Sequence, residues 1–571
     1  MKKLIRFASI VLAVLFLLGT IAGCSKKKDS STTSGDTSSG TTANSDNKAS
    51  SGTQATTGDK TASGSETSGY AFEANKEPVT LTIFVDSPGT LWESWGSDPV
   101  SKKITELTGI SFKCIAPVSD DDSKLTLLIA SDDLPDVVTA WYGDTSWSSM
   151  VQNHMLADLE ELAEQYAPKL RSELVEDEIW EYCRADDGKV YYLLNSYRTK
   201  KALKWFEDND YLIATNQPVI LMRQDYYEEI GRPEIKSAED FMKACEQIKE
   251  KHPDTIPLYT GGLTTSGPSY LLTFFGLGSY YIADDGTVSM SYRNPKYLDM
   301  YIWVNQMVRK GLMTEDSFVD GSEEKDSKSL AGAVASYAWT IGESGKVPAN
   351  NPNTYYYPMK PWDSYLQIRT NAGYIQFGIS AKSKNKDAAI RWFEFGNTEL
   401  GARTMCWGIE GKKEDGWSGD VVNGPHFYFD ENGKATYFEE FQAARNADWS
   451  GVERKSGLGF YQSYVCTNSI YITEAEVLKS ELMTQMNEWY RDRVTYNNGF
   501  IFNIPAGSDE YVAYQTIRSL IGEYNVKWAF AKDEAEVRSL YDEFIRKVEA
   551  SGEAKLNEWY TKTYNENIKK Q

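Results

Sequence analysis

From Pro78 onward Val79, Leu81, Ile83 and Val85 fall on one side of the chain and Thr80, Thr82 and Phe84 on the other, the period of two that predicts a strand. Asp98 followed by Pro99 has the chemistry of a helix N-cap and first helical position; Val100, Ile104 and Leu107 then share one face, and Gly109 supplies the stop. Ile110–Ala116 predicts a second strand, Asp122–Ala130 a helix, and the apolar pair Val137-Val138 a third strand. Strand, helix, strand, helix and strand joined by short connections predict an α/β sheet with parallel strands. Further on, Ser237 with Asp240 reads as a capping box, opening a helix striped with Phe241, Ala244, Cys245 and Ile248. Leu298, Tyr301, Ile302 and Val308 mark a helix that stops at Gly311, and Lys386–Phe395 one that stops at Gly396. After Thr473 the pattern turns helical and ends in Glu534–Ala550 and Glu553–Ile568. The chain shows no internal repeat.

The N-terminus has another pattern. Lys2, Lys3 and Arg6 precede an apolar run from Phe7 to Leu18, which leads to Ile21-Ala22-Gly23-Cys24. A basic start, a short apolar stretch and small residues describe an export signal. The run has fewer apolar residues than the roughly 20 a membrane-spanning helix needs. With cysteine directly after the small residues, the tetrad resembles a bacterial lipobox, which implies that the Cys24 thiol is lipidated and becomes the new N-terminus. Ser25–Gly69 is almost entirely Ser, Thr, Gly, Asp, Asn, Lys and Ala. Such a tract buries too little apolar surface to offset its chain entropy, so disorder is expected. Its root-mean-square reach is roughly 35–40 Å, a leash for the folded body. The expected division is therefore 1–23 signal peptide, 24–75 linker, then a body of about 500 residues, too long for one core and so of two or more lobes.

The formal charge is −22. Residues 1–23 hold three bases and no acid, so cleavage before Cys24 takes the charge to −25. An acidic exported chain is a poor candidate for binding nucleic acid or anionic lipid by electrostatics, and polyanionic ligands are disfavoured unless a local basic pocket overrides the global balance. Cys114, Cys183, Cys245, Cys406 and Cys466 are odd in number, widely spaced and without a CxxC pair, so neither a disulfide framework nor a zinc site is expected. No metal and no cofactor are expected. Tyr and Trp together (36 and 16) outnumber Phe (22), and rings with a polar edge suit wet concave surfaces.

Several motifs then become specific. Lys124-Leu-Thr-Leu-Leu-Ile-Ala-Ser-Asp-Asp-Leu-Pro-Asp-Val-Val138 is similar to the helix–Gly/Asp–Leu–Pro–Asp–strand segment of family 1 extracellular solute-binding proteins. Gly188-Lys-Val-Tyr191 and Arg223-Gln-Asp-Tyr226 resemble the pair that flanks that family's first crossing between lobes. Ala372–Ser380 followed by Lys384–Phe393 resembles the return crossing and its helix, and Trp407-Gly-Ile-Glu-Gly411 a segment of the large oligosaccharide-binding lipoproteins of Gram-positive bacteria. The resemblance spans residues 76–565. It implies an α/β, two-lobed periplasmic-binding-protein (type II) fold with a hinge and a large helical C-terminal part. The expected lobes are 76–215 plus about 375–470, and 216–374 plus about 471–571. It also implies a monomeric receptor, lipid-anchored on the extracytoplasmic face, that captures an oligosaccharide and hands it to the permease of an ABC importer. One departure matters: where large members carry an Asp-x-Asn-x-Asp-Gly calcium loop, this chain reads His252-Pro-Asp-Thr-Ile-Pro-Leu258, too short to supply six oxygens.

Sugars lay their C–H faces on aromatic rings and need polar partners around their hydroxyls. The candidate ligand residues are therefore Trp141 and Tyr142 after the third strand, Asp144 and Trp147 beyond them, Trp339 after an apolar run in the second lobe, Trp362, and Tyr374 near the return crossing. Arg198 and Arg369, beside the two crossings, are candidates for hydroxyls or a uronate carboxylate. Trp407 reads as structural. The chain has no GxSxG, HExxH or P-loop, and His154, His252 and His426 are isolated, so an enzyme is not expected. Asp120-Asp121-Asp122, Asp132-Asp133, Asp186-Asp187 and Asp284-Asp285 read as solvated turns rather than the spaced carboxyl pair of a glycosidase. The rival readings are a surface glycoside hydrolase or polysaccharide lyase, and a sensing subunit that presents its closed form to a membrane kinase.

Overall fold

The computed structural model describes residues 69–118, 123–143, 145–185, 187–209, 218–260, 269–320, 322–447, 449–471, 481–505 and 507–569. The export signal, Cys24, the Ser/Thr/Gly tract and Asp144 lie outside the described residues. In chain order the strands are β1 (Val79–Phe84), β2 (Ile110–Ile115), β3 (Val137–Trp141), β4 (Leu193–Leu194), β5 (Pro218–Arg223), β6 (Ile256–Tyr259), β7 (Tyr280–Ile282), β8 (Val288–Met290), β9 (Val334–Thr340), β10 (Tyr356–Pro358), β11 (Gln367–Arg369), β12 (Ile375–Ile379), β13 (Phe427–Phe429), β14 (Ala435–Tyr437) and β15 (Val494–Tyr496). They build two main sheets, in orders β2-β1-β3-β12-β4 and β10-β5-β9-β6, and three short pairs.

The first lobe starts as its pattern dictates. β1 and β2 run parallel with Val79 opposite Ile110, and β1 is parallel to β3. Between β1 and β2 the helix Pro99–Thr108 is capped by Asp98, whose carboxylate accepts from the Ser101 N–H at 2.8 Å. It ends at Gly109, whose φ of +74° is a left-handed stop, and a Cβ there would strike the Lys76 carbonyl. Leu81, Ile83, Val137, Phe377 and Ile379 face one core, which also holds Trp180 and Trp392. Phe84, Val138, Ala140, Trp147 and Met150 face a smaller core on the other side. With both faces covered, β3 is buried from Val137 to Ala140, as a strand inside a sheet packed on both sides is.

β5 begins the second lobe and is buried along its whole length. Ser237 caps the helix Ala238–Lys251: the Asp240 N–H donates to its hydroxyl at 3.1 Å and the hydroxyl donates to the Asp240 carboxylate at 2.8 Å. The C-terminal helices Asp509–Ala529, Glu534–Ala550 and Glu553–Lys569 belong to this lobe's core through Tyr524, Trp528, Phe544 and Tyr560. They are pinned by polar contacts as well as apolar ones. Asn305 donates to the Ala529 and Ala531 carbonyls at 3.1 and 2.7 Å, and Tyr292 donates to Glu553 at 2.9 Å.

Two elements differ from the sequence reading. β3 runs on through Trp141, so that indole ends the strand instead of following it. The helix Lys386–Asn397 passes through Gly396 rather than stopping there. Gly396 is small because the Val465 methyls stand 2.5 Å from where a Cβ would be. The five cysteines after Cys24 are unbridged, and all but half-buried Cys114 are buried. Among the described residues no helix is long and apolar enough to cross a membrane.

Candidate functional site

The passages between lobes locate the space to search. β12 enters the first sheet with Ile375 opposite Trp141, the last residue of β3. β5 enters the second sheet with Pro218 opposite Thr340, the last residue of β9. Each incoming strand is antiparallel to its neighbour, while β1 with β3, and β6 with β9, are parallel. The carboxyl ends of both sets of parallel strands therefore lie where the chain passes from lobe to lobe. That edge is where open α/β sheets hold ligands.

Three segments meet there and are tied backbone to backbone. The Ser196 N–H donates to the Cys466 carbonyl (3.0 Å), Tyr197 to Thr467 (2.8 Å) and Arg198 to Asn371 (2.9 Å). The Asn195 amide oxygen accepts from both the Tyr374 and Ile375 N–H groups, at 2.8 and 2.9 Å. Gly373 makes this approach possible, since a Cβ would collide with the Asn195 carbonyl oxygen.

At the first lobe's strand ends Trp141 is 52 % exposed, its ring 5.9 Å from that of Tyr374, itself 39 % exposed. The Tyr374 hydroxyl meets the Ser463 hydroxyl at 2.6 Å. Beside them, burial and the phenol of Tyr374 raise the Tyr464 pKa, while a hydrogen bond with Ser87 opposes the rise and Asp86 adds to it. Ser87, Asp86, Ser463 and Tyr464 were not found from the sequence. Asp86 and Ser87 had a usable signal, standing directly after the first strand as Trp141 stands at the end of the third. Ser463 and Tyr464 had none, being nearly ninety residues from Tyr374 in the chain.

The other ring candidates divide. Tyr142 turns into the lobe, its hydroxyl 2.9 Å from that of Tyr182, and burial pushes its pKa up. Trp147 is buried beside Tyr192 at 5.6 Å. Trp339, at the end of β9, is half-buried; Tyr270 packs 4.9 Å away and the Lys325 ammonium stands 3.9 Å over its ring. Trp362 is core, 1 % exposed among Phe241, Phe274, Phe275 and Trp303, and offers no face to solvent. The reason is that the Pro361–Asp363 turn folds back over the lobe: Asp363 N–H donates to the Lys236 carbonyl at 2.9 Å. Asp144 lies outside the described residues.

The two arginines stand beside the same passage, where the Arg198 N–H donates to the Asn371 carbonyl. Burial and the neighbouring charge of Arg198 push the Arg369 guanidinium down to about 10. Arg198 is half-buried, and its Nε is enclosed without a hydrogen-bond partner.

A second space between the lobes, of about 1260 Å³, is lined by Trp147, Tyr182 and Tyr192 of the first lobe, Asn371 and Gln376 of the return passage, and Asn503 and Trp559 of the second lobe. Neither Trp141 nor Tyr374 lines it.

The described aspartates of the acid doublets sit in turns. Asp187 accepts from the Lys189 N–H (3.1 Å) and the Tyr191 hydroxyl (2.6 Å), and the tyrosine bond is the larger cause holding its pKa below the usual range. Asp285 accepts from the Thr287 N–H at 2.9 Å and is lowered in the same way, and Asp132 pairs with Lys382. A general acid needs the opposite shift.

The comparisons agree with this architecture. The profile of the bacterial extracellular solute-binding protein family matches residues 115–399. A fructooligosaccharide ABC transporter substrate-binding protein, FusA of Streptococcus pneumoniae serotype 4, is 23 % identical over 336 residues. That match spans 55 % of this chain and 60 % of FusA. Among solved structures, the alginate-binding protein AlgQ2 without calcium superposes with a TM-score of 0.65 at 18 % identity, over 87 % of this chain and 100 % of that one. A FusA EF-hand mutant in complex with fructo-nystose gives 0.64 at 17 % identity, over 86 % of this chain and 100 % of that one. The N-glycan transport solute-binding protein of Streptococcus pneumoniae in complex with Man1GlcNAc gives 0.55 at 16 %, over 86 % and 99 %. With its two lobes, its sheet orders and this match, the chain belongs to the bacterial extracellular solute-binding protein family.

Proposed function

We propose that this protein captures an oligosaccharide between its lobes and delivers it, uncleaved, to the permease of an ABC importer. The observation that carries the reading is the exposed Trp141–Tyr374 pair standing on the carboxyl ends of the first sheet, where the passages bring both lobes together. Exposed rings beside Asp86, Ser87 and Ser463 offer the C–H-facing and hydroxyl-binding surfaces that sugars need. A ligand that touches both lobes favours the closed arrangement over the open one by its differential contacts alone. The likeness to FusA, by name a fructooligosaccharide receptor, supports the same substrate class. The lobes in this reading are 76–215 with about 375–470, and 216–374 with about 471–571. The protein acts as a monomer, held to the membrane by a lipid on Cys24 and facing outward, and it performs no chemistry.

The test is thermal unfolding of the protein against a panel of oligosaccharides that includes kestose and nystose, with product analysis of every sample. Ligand at a hundredfold excess over its dissociation constant adds about 2.7 kcal/mol to native stability, a visible upward shift. A shift with the glycan recovered intact is the expected result. Cleaved glycan promotes the hydrolase, and no shift with any sugar overturns the substrate class. Loss of the shift in Trp141→Ala keeps the ligand on the strand ends. Loss in Trp559→Ala alone moves it into the 1260 Å³ space. Labelling with palmitate, abolished by Cys24→Ala, tests the anchor.

A further inference from the structure

We propose that the 1260 Å³ space between the lobes is a second subsite for the same ligand, and that the sugar units it takes are uncharged. The inference rests on the receptor reading above and narrows its substrate class from oligosaccharides to neutral ones.

The wall of this space has unmet polar demand. Three of its side chains carry polar atoms with no hydrogen-bond partner among the described residues: the amide oxygens of Asn371 and Gln376 and the indole N–H of Trp147. All three residues are buried, so each such atom is a standing cost in the empty protein. The terminal torsions of Asn and Gln are soft, and a turn about them presents either amide oxygen to an occupant. Two acceptors and one donor ask for a group that both gives and takes a hydrogen bond, and a hydroxyl is that group. Trp559, half-buried on the second lobe's side with the Phe502 ring 5.8 Å away, adds an aromatic face for a sugar's C–H groups.

Charge argues against an acid. The charged side chains on the wall are Glu178, Glu181 and Glu566 against Arg184, Lys200 and Lys562, three of each sign. Arg184 is already spent, donating to Glu160 (2.7 Å), Glu181 (2.8 Å) and the Gly188 carbonyl (2.7 Å). Lys200 and Lys562 are exposed, where water screens them. A carboxylate drawn inside would meet unpartnered amide oxygens and, among the described residues of the wall, no enclosed cation left to pair with it. Size and position suit a chain of sugars. The space exceeds the roughly 300–1,000 Å³ of a pocket for one drug-sized ligand. Gly143, two residues past Trp141, and Gln376, two past Tyr374, both line it, so it adjoins the exposed ring pair. Trp147 comes from the first lobe and Trp559 from the second, so an occupant touches both, the condition for closure.

The experiment is calorimetric titration of the full chain in detergent micelles. The neutral probes are kestose, nystose, maltotetraose, cellotetraose, xylotetraose and mannotetraose; trigalacturonate and its carboxyl-reduced, neutral form complete the set. The expected result is that a neutral probe binds and that trigalacturonate is at least about tenfold weaker than the tightest of them. Gln376→Met removes the amide at similar volume and is expected to weaken that probe by about tenfold. The unliganded variant is expected to melt no lower than the parent, since an unpaired buried acceptor has gone, so the weaker binding reports a lost contact and not a loosened fold. Trp559→Ala is expected to cost at least about tenfold as well. Unchanged binding in either variant, with loss in Trp141→Ala, overturns the subsite and leaves the receptor standing. Trigalacturonate binding as tightly as the neutral probes, or more tightly, overturns the neutral preference. No binding by any probe overturns this proposal and the receptor reading together.

Discussion

Trp141 and His426 show how differently two side chains of one lobe are employed. Trp141 is half in water beside the Tyr374 ring, so truncating it removes the proposed ligand surface without opening a core. Trp141→Ala is expected to weaken oligosaccharide binding by at least about tenfold while stability changes by roughly 1 kcal/mol or less. Titration and denaturant unfolding of the same variant check the split. His426 is buried, with Nδ1 accepting from the Ile409 N–H at 2.9 Å, so the proton is on Nε2 and donates to the Val422 carbonyl at 3.1 Å. Burial pushes its pKa down to about 4. The unfolded imidazole titrates near 6.5, so the unfolded chain binds the proton more readily. The stability contributed by the neutral ring is full above about pH 6.5 and is lost as pH falls from there through about 4, a change of order 3 kcal/mol. Denaturant midpoints at pH 7.5 and 4.5 measure it: the fall is expected to be smaller in His426→Gln, and an equal fall contradicts the assignment. Of the two, Trp141 was legible because a ring at a strand's end has few places to go. His426 reads from the sequence as an isolated histidine, since the two main-chain groups that hold it come from a loop whose path no local pattern encodes.

At the scale of elements, the pattern of polar and apolar positions gave most boundaries within a residue or two, because caps such as Asp98, Ser237 and Gly109 act on their own neighbours. It failed where a residue answers to a distant partner. Gly396 looks like a helix stop and is instead a helix residue under Val465. By helix propensity alone Gly396→Ala gains about 1 kcal/mol. With a methyl forced against Val465 the sign is expected to reverse, to a net loss on the order of 1–2 kcal/mol. Restoring room with Gly396→Ala/Val465→Ala is expected to recover part of it, and denaturant unfolding of the three proteins reads the cycle. Gly373 is the same case beside the candidate site. Gly373→Ala drives a methyl into the Asn195 carbonyl and parts the segments that carry Tyr374 and Arg198. A loss of both stability and ligand affinity is expected, where Trp141→Ala affects affinity alone. Trp362 is the converse: an indole in a Pro-Trp-Asp turn has a surface composition, yet three helices and a turn enclose it, and only the packing reveals that.

For the whole molecule, two lobes were legible because strands, helices and the motifs at both passages recur in an order that one sheet cannot accommodate. The chemistry between the lobes was legible only in part. Trp141, Tyr374, Arg198 and Arg369 stand out by their places beside strands and passages, and the structure brings the two rings together. Ser463 and Tyr464 join them across the fold, and the 1260 Å³ space depends on helices that lie at the far end of the chain. What binds in the middle is set by all of these at once, which is why the central claim is about both lobes together. Hydrogen–deuterium exchange, with and without a saturating oligosaccharide that raises the melting temperature, tests it most directly. Slowed exchange is predicted at the carboxyl end of β3 and the return passage in the first lobe, and at the carboxyl end of β9 in the second. Protection confined to one lobe, or to surfaces away from these strand ends, would contradict capture between them.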